Sequence, residues 1–233
     1  MNSISNNQYF IVIKKENFLF QAIDLDNNKI LTKKFLNNEF KNNDILNLVQ
    51  NFLDSNIIEL EKSLKDFIKE INIIIESDIF FTAKTSIKYK LKTTNTKLNN
   101  INEALLEIRN QFKKYSPKDE IIHMVINKYS LDGNDYSYLP ENINDENLVI
   151  QVDFICLKNL FLDNLKKTIS KYQISLNKIL SYNFLNEINP DPDNDIFKSA
   201  QRSMNGLNQN EVLITNKPQK NLGFFEKFFN FFR

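Results

Sequence analysis

One histidine, one cysteine and a run of three alternating aspartates carry most of the chemistry open to this chain of 233 residues. His123 is the only side chain with an ordinary pKa near neutrality, but acid–base work needs a partner to orient it, and its neighbours are apolar. The apolar setting favours a structural imidazole. Cys156 lies between Ile155 and Leu157, with no histidine nearby in sequence to generate a thiolate, and reads as a small buried hydrophobe. Asp191, Asp193 and Asp195 alternate as the first ligands of a calcium loop do. The sixth and twelfth places of such a loop, which need glycine and glutamate, hold Ile196 and Arg202, so the stretch reads as solvated linker. Three glycines nearly exclude a glycine-rich phosphate loop. No catalytic, metal or cofactor site is expected, and the chain is not read as an enzyme.

Two segments carry surface chemistry instead. Asp132, Gly133, Asn134 and Asp135 form a turn signal, flanked by Tyr129 before it and Tyr136 and Tyr138 after it. Tyr129, Asp132, Tyr136 and Tyr138 read either as a plain strand connection or as a protein-contact rim, since tyrosine gives large contact area at small entropic cost. The second segment is residues 222–233, LGFFEKFFNFFR. In helical projection Leu222, Phe224, Phe225, Phe228, Phe229, Phe231 and Phe232 share one half of the circumference, with Lys227 and Arg233 on the other. Six buried rings would contribute on the order of 10 kcal/mol. At about 1.5 Å per residue the helix is too short to cross a hydrocarbon core of about 30 Å. It reads as an interfacial helix drawn to anionic lipid, with docking onto the parent domain as the alternative.

The rest of the chain must position these segments. A formal charge of +1, from 30 basic and 29 acidic residues, lacks the broad electrostatic footprint of a nucleic-acid binder. The polar start MNSISNNQ has no basic and apolar regions of a leader, and a lone cysteine forms no internal disulfide, so a reducing cytoplasm is expected. Residues 9–13, 17–25 and 30–35 read as a three-strand meander, followed by a long amphipathic helix or helix pair opened by Asp44 as N-cap. Strands are expected over 72–76, 80–91, 120–129, 147–156 and 174–184. Helices are expected over 98–112 and over 157–172, the latter turning Leu160, Phe161, Leu165 and Ile169 inward. The Asn-, Asp- and Pro-rich stretch 189–221 reads as a disordered tether. Strands and helices alternating on this scale give an α+β fold, mixed sheets with helices on their faces.

Residues 121–133, IIHMVINKYSLDG, carry a family resemblance. His123, Tyr129, Leu131 and Asp132 occupy the places of a hydrophobic–His–apolar–Tyr–apolar–Asp pattern of the cell-division protein FtsA. Leu139-Pro140, residues 148–156 and Asn164-Leu165 come next, in the family's order. The stretch 71–184 thus resembles the SHS2 module inserted in FtsA as its 1C subdomain. The N-terminal meander and long helix are similar to the opening of the actin-like 1A subdomain, and the phenylalanine helix resembles the family's membrane-targeting end. This implies four parts: a partial actin-like 1A meander over 1–70, an SHS2 domain over 71–188, the tether 189–221 and the membrane helix 222–233.

Departures limit what carries over. The family's Asp-Ile-Gly-Thr turn is replaced by Ile13-Lys14-Lys15-Glu16-Asn17, without the metal-positioning aspartate or the phosphate-admitting glycine. Its second glycine-rich turn and the 2A and 2B subdomains have no counterpart, which puts contact with FtsZ in doubt. The expectation is a membrane-tethered, non-enzymatic adaptor of bacterial cell division on the cytoplasmic face of the membrane. Its partners would be division proteins and anionic lipid, with self-association open. The alternatives are a pilus-assembly scaffold that shares the actin-like and SHS2 architecture, though without such a tail, and a nucleotide-dependent switch.

Overall fold

The computed structural model describes residues 7–24, 28–36, 44–90, 97–131, 133–139, 147–188 and 195–213. Asp132 and the helix expected over 222–233 lie outside them. The fold is α+β, two sheets with helices packed on them, as the sequence pattern implies.

The first sheet has the order β3-β2-β1-β4-β9. Its meander is β1 (Gln8–Ile13), β2 (Asn17–Ile23) and β3 (Lys29–Leu36), antiparallel throughout. Helix α1 (Ile45–Leu64) then crosses over to β4 (Glu70–Ile75), which runs parallel to β1. Asp44 caps α1 as expected, its carboxylate accepting the Leu46 N–H at 3.0 Å. The helix ends where Lys65 turns left-handed at φ 55°, so a single helix forms and Phe67, beyond its end, is exposed. Crossing from β3 to a parallel neighbour of β1 buries both faces of the central strands, and all but the first residue of β1 and β4 are buried.

The chain next leaves this sheet to build another. Strand β5 (Phe81–Lys90), helix α2 (Lys97–Tyr115), β6 (Asp119–Leu131), β7 (Asn134–Tyr136) and β8 (Asn147–Lys158) form an antiparallel sheet of order β5-β8-β6-β7 with α2 on one face. Helix α3 (Asn159–Ser170) returns the chain to the first sheet, where β9 (Ser175–Ser181) pairs in parallel with β4. The boundary expected at residue 70 is therefore crossed by hydrogen bonds. Strands β4 and β9 complete the first sheet, and the inserted unit is the stretch from β5 to β8.

Three further expectations need correcting. Strand β8 runs on to Lys158, which places Leu160 in the first turn of α3, where it is 72% exposed, while Leu165 and Ile169 are buried as expected. The last strand ends at Ser181, and Phe184 belongs to helix α4 (Tyr182–Ile188). The stretch read as a tether contains helix α5 (Ile196–Met204), whose Ile196, Phe197 and Ala200 bury against Phe10, Val12 and Ile74 on the second face of the first sheet. Asp195, read as a solvated carboxylate, caps α5 through the Phe197 N–H at 3.1 Å and pairs with Lys29 at 2.9 Å.

Candidate functional site

The two sheets and the segment after α5 meet at His123. Strand β6 opposes Ile121 to Cys156 but His123 to Ile155, so Ile122 is an extra residue in the ladder. Such a bulge re-aims the side chains beyond it. An unbroken ladder would set His123 against Phe154, on the α2 side; the bulge turns it to the other face, against β9 and α4. There its Nε2 accepts the Ser181 N–H at 3.1 Å, and its ring lies 4.2 Å from that of Phe184. Nδ1 is 2.7 Å from Glu211 Oε1. Because Nε2 is an acceptor, the proton is on Nδ1 and donates to the carboxylate.

Glu211 is held as firmly as the imidazole it faces. Ser203 Oγ donates to its Oε1 and Asn208 Nδ2 to its Oε2, each at 2.7 Å. The backbone beside it extends the inserted sheet: Ile126 N–H donates to Asn210 O and Val212 N–H to Met124 O, both at 2.8 Å. Burial pushes the His123 pKa down, against the opposing pull of the Glu211 carboxylate. Burial also pushes Glu211 up, but the bonds from His123, Asn208 and Ser203 outweigh it and hold the carboxyl below its usual value. The pair is thus a neutral imidazole on a carboxylate. Every polar atom of the dyad has a partner within the chain, so the cluster fastens three pieces of backbone together.

The other reactive groups are likewise committed. Cys156 is fully buried, and burial, with Asp119 and Glu120 adding to it, pushes its thiol up to about 12. A thiol that stays protonated is a packing group. Lys14, in the turn after β1, donates to the Tyr182 hydroxyl at 2.6 Å and lies over that ring. A hollow of about 320 Å³ beside it is lined by Lys15, Glu76, Ser77 and Asp78 among others. Among the described residues, no cluster of His, Cys, Asp or Glu could hold a metal ion, and no helix is long and apolar enough to cross a membrane.

The tyrosine rim divides. A second extra residue, Asn127, lets Ile126 and Tyr129 both face α2, and Tyr129 is only 9% exposed. It is a core residue, and the rim reading fails for it. Tyr136, opposite Tyr129, is half-buried against the same core, while Tyr138 is 65% exposed. Sequence reasoning found His123 but missed Ser181, Ser203, Asn208 and Glu211. One signal was available: Asp195 followed by Ile196, Phe197 and Ala200 has the cap and spacing of a short amphipathic helix inside the supposed tether.

No family model and no curated protein matches the chain. Solved structures do. The cytoplasmic domain of EpsL, an inner-membrane component of the type II secretion system of Vibrio cholerae, is similar at 5% identity and TM-score 0.36 over 77% of this chain and 59% of that one. A Bacteroides thetaiotaomicron protein with an actin-like ATPase fold and unknown function is similar at 11% identity and TM-score 0.34, over 78% and 54%. The PilM–PilN type IV pilus biogenesis complex contains a chain similar at 9% identity and TM-score 0.43, over 76% and 48%. The chain spans about half the length of these structures.

Proposed function

We propose that this protein is a non-enzymatic scaffold for a membrane-associated assembly, its inserted sheet serving as the recognition module and its phenylalanine-rich end attaching it to the cytoplasmic face of the membrane. The observation that carries the reading is the insertion itself: a four-stranded sheet with one helix-covered face, built between neighbouring parallel strands of a body buried on both faces. The side chains best able to do chemistry, His123 and Cys156, support binding over catalysis because both are spent on holding the parts together.

Two kinds of assembly fit. His123, Tyr129 and Leu131, which carry the resemblance to FtsA, are all buried. They speak for the architecture of the module and not for a contact particular to cell division. A pilus- or secretion-type scaffold shares that architecture, and the EpsL and PilM–PilN proteins are components of such machinery by name. A cell-division adaptor is the second reading, favoured by the order of the later motifs.

Membrane attachment would raise the effective concentration of the module for partners at the same surface, so individually weak contacts suffice. Phe225→Asp with Phe228→Asp, or deletion of residues 222–233, is expected to move the chain from sedimenting phosphatidylglycerol vesicles to the supernatant; unchanged sedimentation rejects the tether. Cross-linking in membranes, followed by identification of the captured proteins, separates pilus or secretion partners from division partners.

A further inference from the structure

We propose that the outer edge of β5 is a docking strand for an extended segment of a partner protein in which acidic residues alternate with small or apolar ones. The four edge strands of the two sheets differ in how open they are. Strand β3 pairs through a register shift at Ala22/Ile23, β9 through one at Ile71/Asn72, and β7 has three residues. Strand β5 keeps ten residues in unbroken register with β8, from Phe81 opposite Cys156 to Lys90 opposite Asn147. It has no proline and no bulge, and among the described residues no strand pairs with its other side. An unbulged edge of this length offers a full row of backbone donors and acceptors.

Side chains set what such a strand would accept. Thr82, Lys84, Ser86, Lys88 and Lys90 share the exposed face, whereas Phe81, Ala83, Thr85, Ile87 and Tyr89 turn toward α2. Neither Lys84 nor Lys88 has an ion pair among the described residues, and the carboxylate opposite Lys84 is Asp153. Lysine on an edge is a common guard against self-pairing, and it acts as one here: antiparallel pairing of two β5 strands about Ser86 would set Lys84 of each copy against Lys88 of the other. Like charges opposed across a ladder repel. The same row attracts an acidic strand. On the α2 side Glu103 already accepts the Tyr89 hydroxyl at 2.6 Å, with Glu107 one turn on, so acidic residues there would be repelled. Acid on one face and small or apolar residues on the other is the pattern that fits both sides.

This names the partner chemistry for the scaffold reading and rests on it, but its test uses purified protein and so fails or succeeds apart from membrane attachment. The probe is a fluorescein-labelled decapeptide alternating glutamate and valine, titrated with the full chain by fluorescence anisotropy, with a lysine–valine decapeptide as control. The acidic peptide is expected to bind and the basic one not. Lys84→Glu with Lys88→Glu should weaken binding about tenfold or more, and the glutamine pair by less. Amide hydrogen exchange should slow across Phe81–Lys90 on binding and stay unchanged in β3. The proposal is overturned by absence of binding, by binding indifferent to both lysine pairs, or by unchanged exchange in β5. It is also overturned if β5 becomes protected without peptide as protein concentration rises, which gives the edge to a second copy, or if only phosphatidylglycerol vesicles protect it.

Discussion

The body and the insertion solve the same problem, what to do with the two faces of a sheet, in opposite ways. In the first sheet α1 and α3 cover one face and α4 and α5 the other, so Phe10, Ile11, Val12 and Ile13 are all buried and β1 has no outward side. In the inserted sheet α2 covers one face, β8 alternates buried and half-buried residues along its length, and β5 alternates half-buried and exposed ones. In the closed sheet the central strands spend both sets of side chains on the core. The second face of the inserted sheet meets β9 and α4 around His123 but stays open at β5, which leaves surface and edge there for a partner.

The largest effect that sharpens this contrast should come from Phe10→Ala. Phe10 is fully buried in the centre of β1, edge-on to Phe197 at 6.1 Å, and truncation is expected to cost about 3–5 kcal/mol. Ser86→Ala, on the exposed face of β5, should change stability by less than about 0.5 kcal/mol. Urea unfolding of both variants measures the difference, and equal effects would erase the distinction between the sheets.

Next in size is the dyad that joins them. Glu211→Ala leaves the His123 N–H, Ser203 and Asn208 without their acceptor and is expected to cost about 2–3 kcal/mol, with Glu211→Gln costing less. Acid should act in the same direction. The histidine pKa is held below its ordinary 6.5 in the folded chain, so below about pH 6.5 the unfolded chain binds the extra proton and stability falls. The lowered Glu211 carboxyl extends that fall at lower pH. Thermal unfolding between pH 7.5 and 5 should show the loss, and His123→Asn should flatten it. A slope unchanged by the substitution would remove the dyad from the account.

A smaller effect than loss of the dyad, and of opposite sign, is expected at Gln21. Gln21 is 1% exposed on the face of the first sheet that α5 covers, and neither its Nε2 nor its Oε1 has a partner. Gln21→Met removes two unpaired polar atoms from the interior at similar volume and should stabilise by about 1–2 kcal/mol. A destabilised variant would mean that the amide has a role which its surroundings do not reveal.

These sites also mark how far the fold was legible in the sequence. Alternation and three- or four-residue spacing report local faces, and they revealed the meander, the Asp44 cap and the inward Leu165 and Ile169 of α3. Which sheet a strand joins is a non-local matter, and nothing in Ile71–Ile75 or Ser175–Ser181 distinguishes pairing with β1 from pairing with the insertion. Bulges hide for a related reason. One extra residue at Ile122 turns His123 away from α2, and another at Asn127 turns Tyr129 back toward it, without altering composition. Over the described residues 195–213 the tether reading fails, because asparagines and prolines outweighed three apolar residues, Ile196, Phe197 and Ala200, that suffice to dock a nine-residue helix.

The central claim is that recognition belongs to the inserted sheet and not to the closed body. Site-specific photo-cross-linking in intact membranes tests it most directly, with the cross-linker placed in turn at Ser86 on β5 and at exposed Ile58 on α1. The account predicts a discrete cross-linked partner from position 86 that Lys84→Glu with Lys88→Glu abolishes, and none from position 58. A partner captured only through α1 would contradict it.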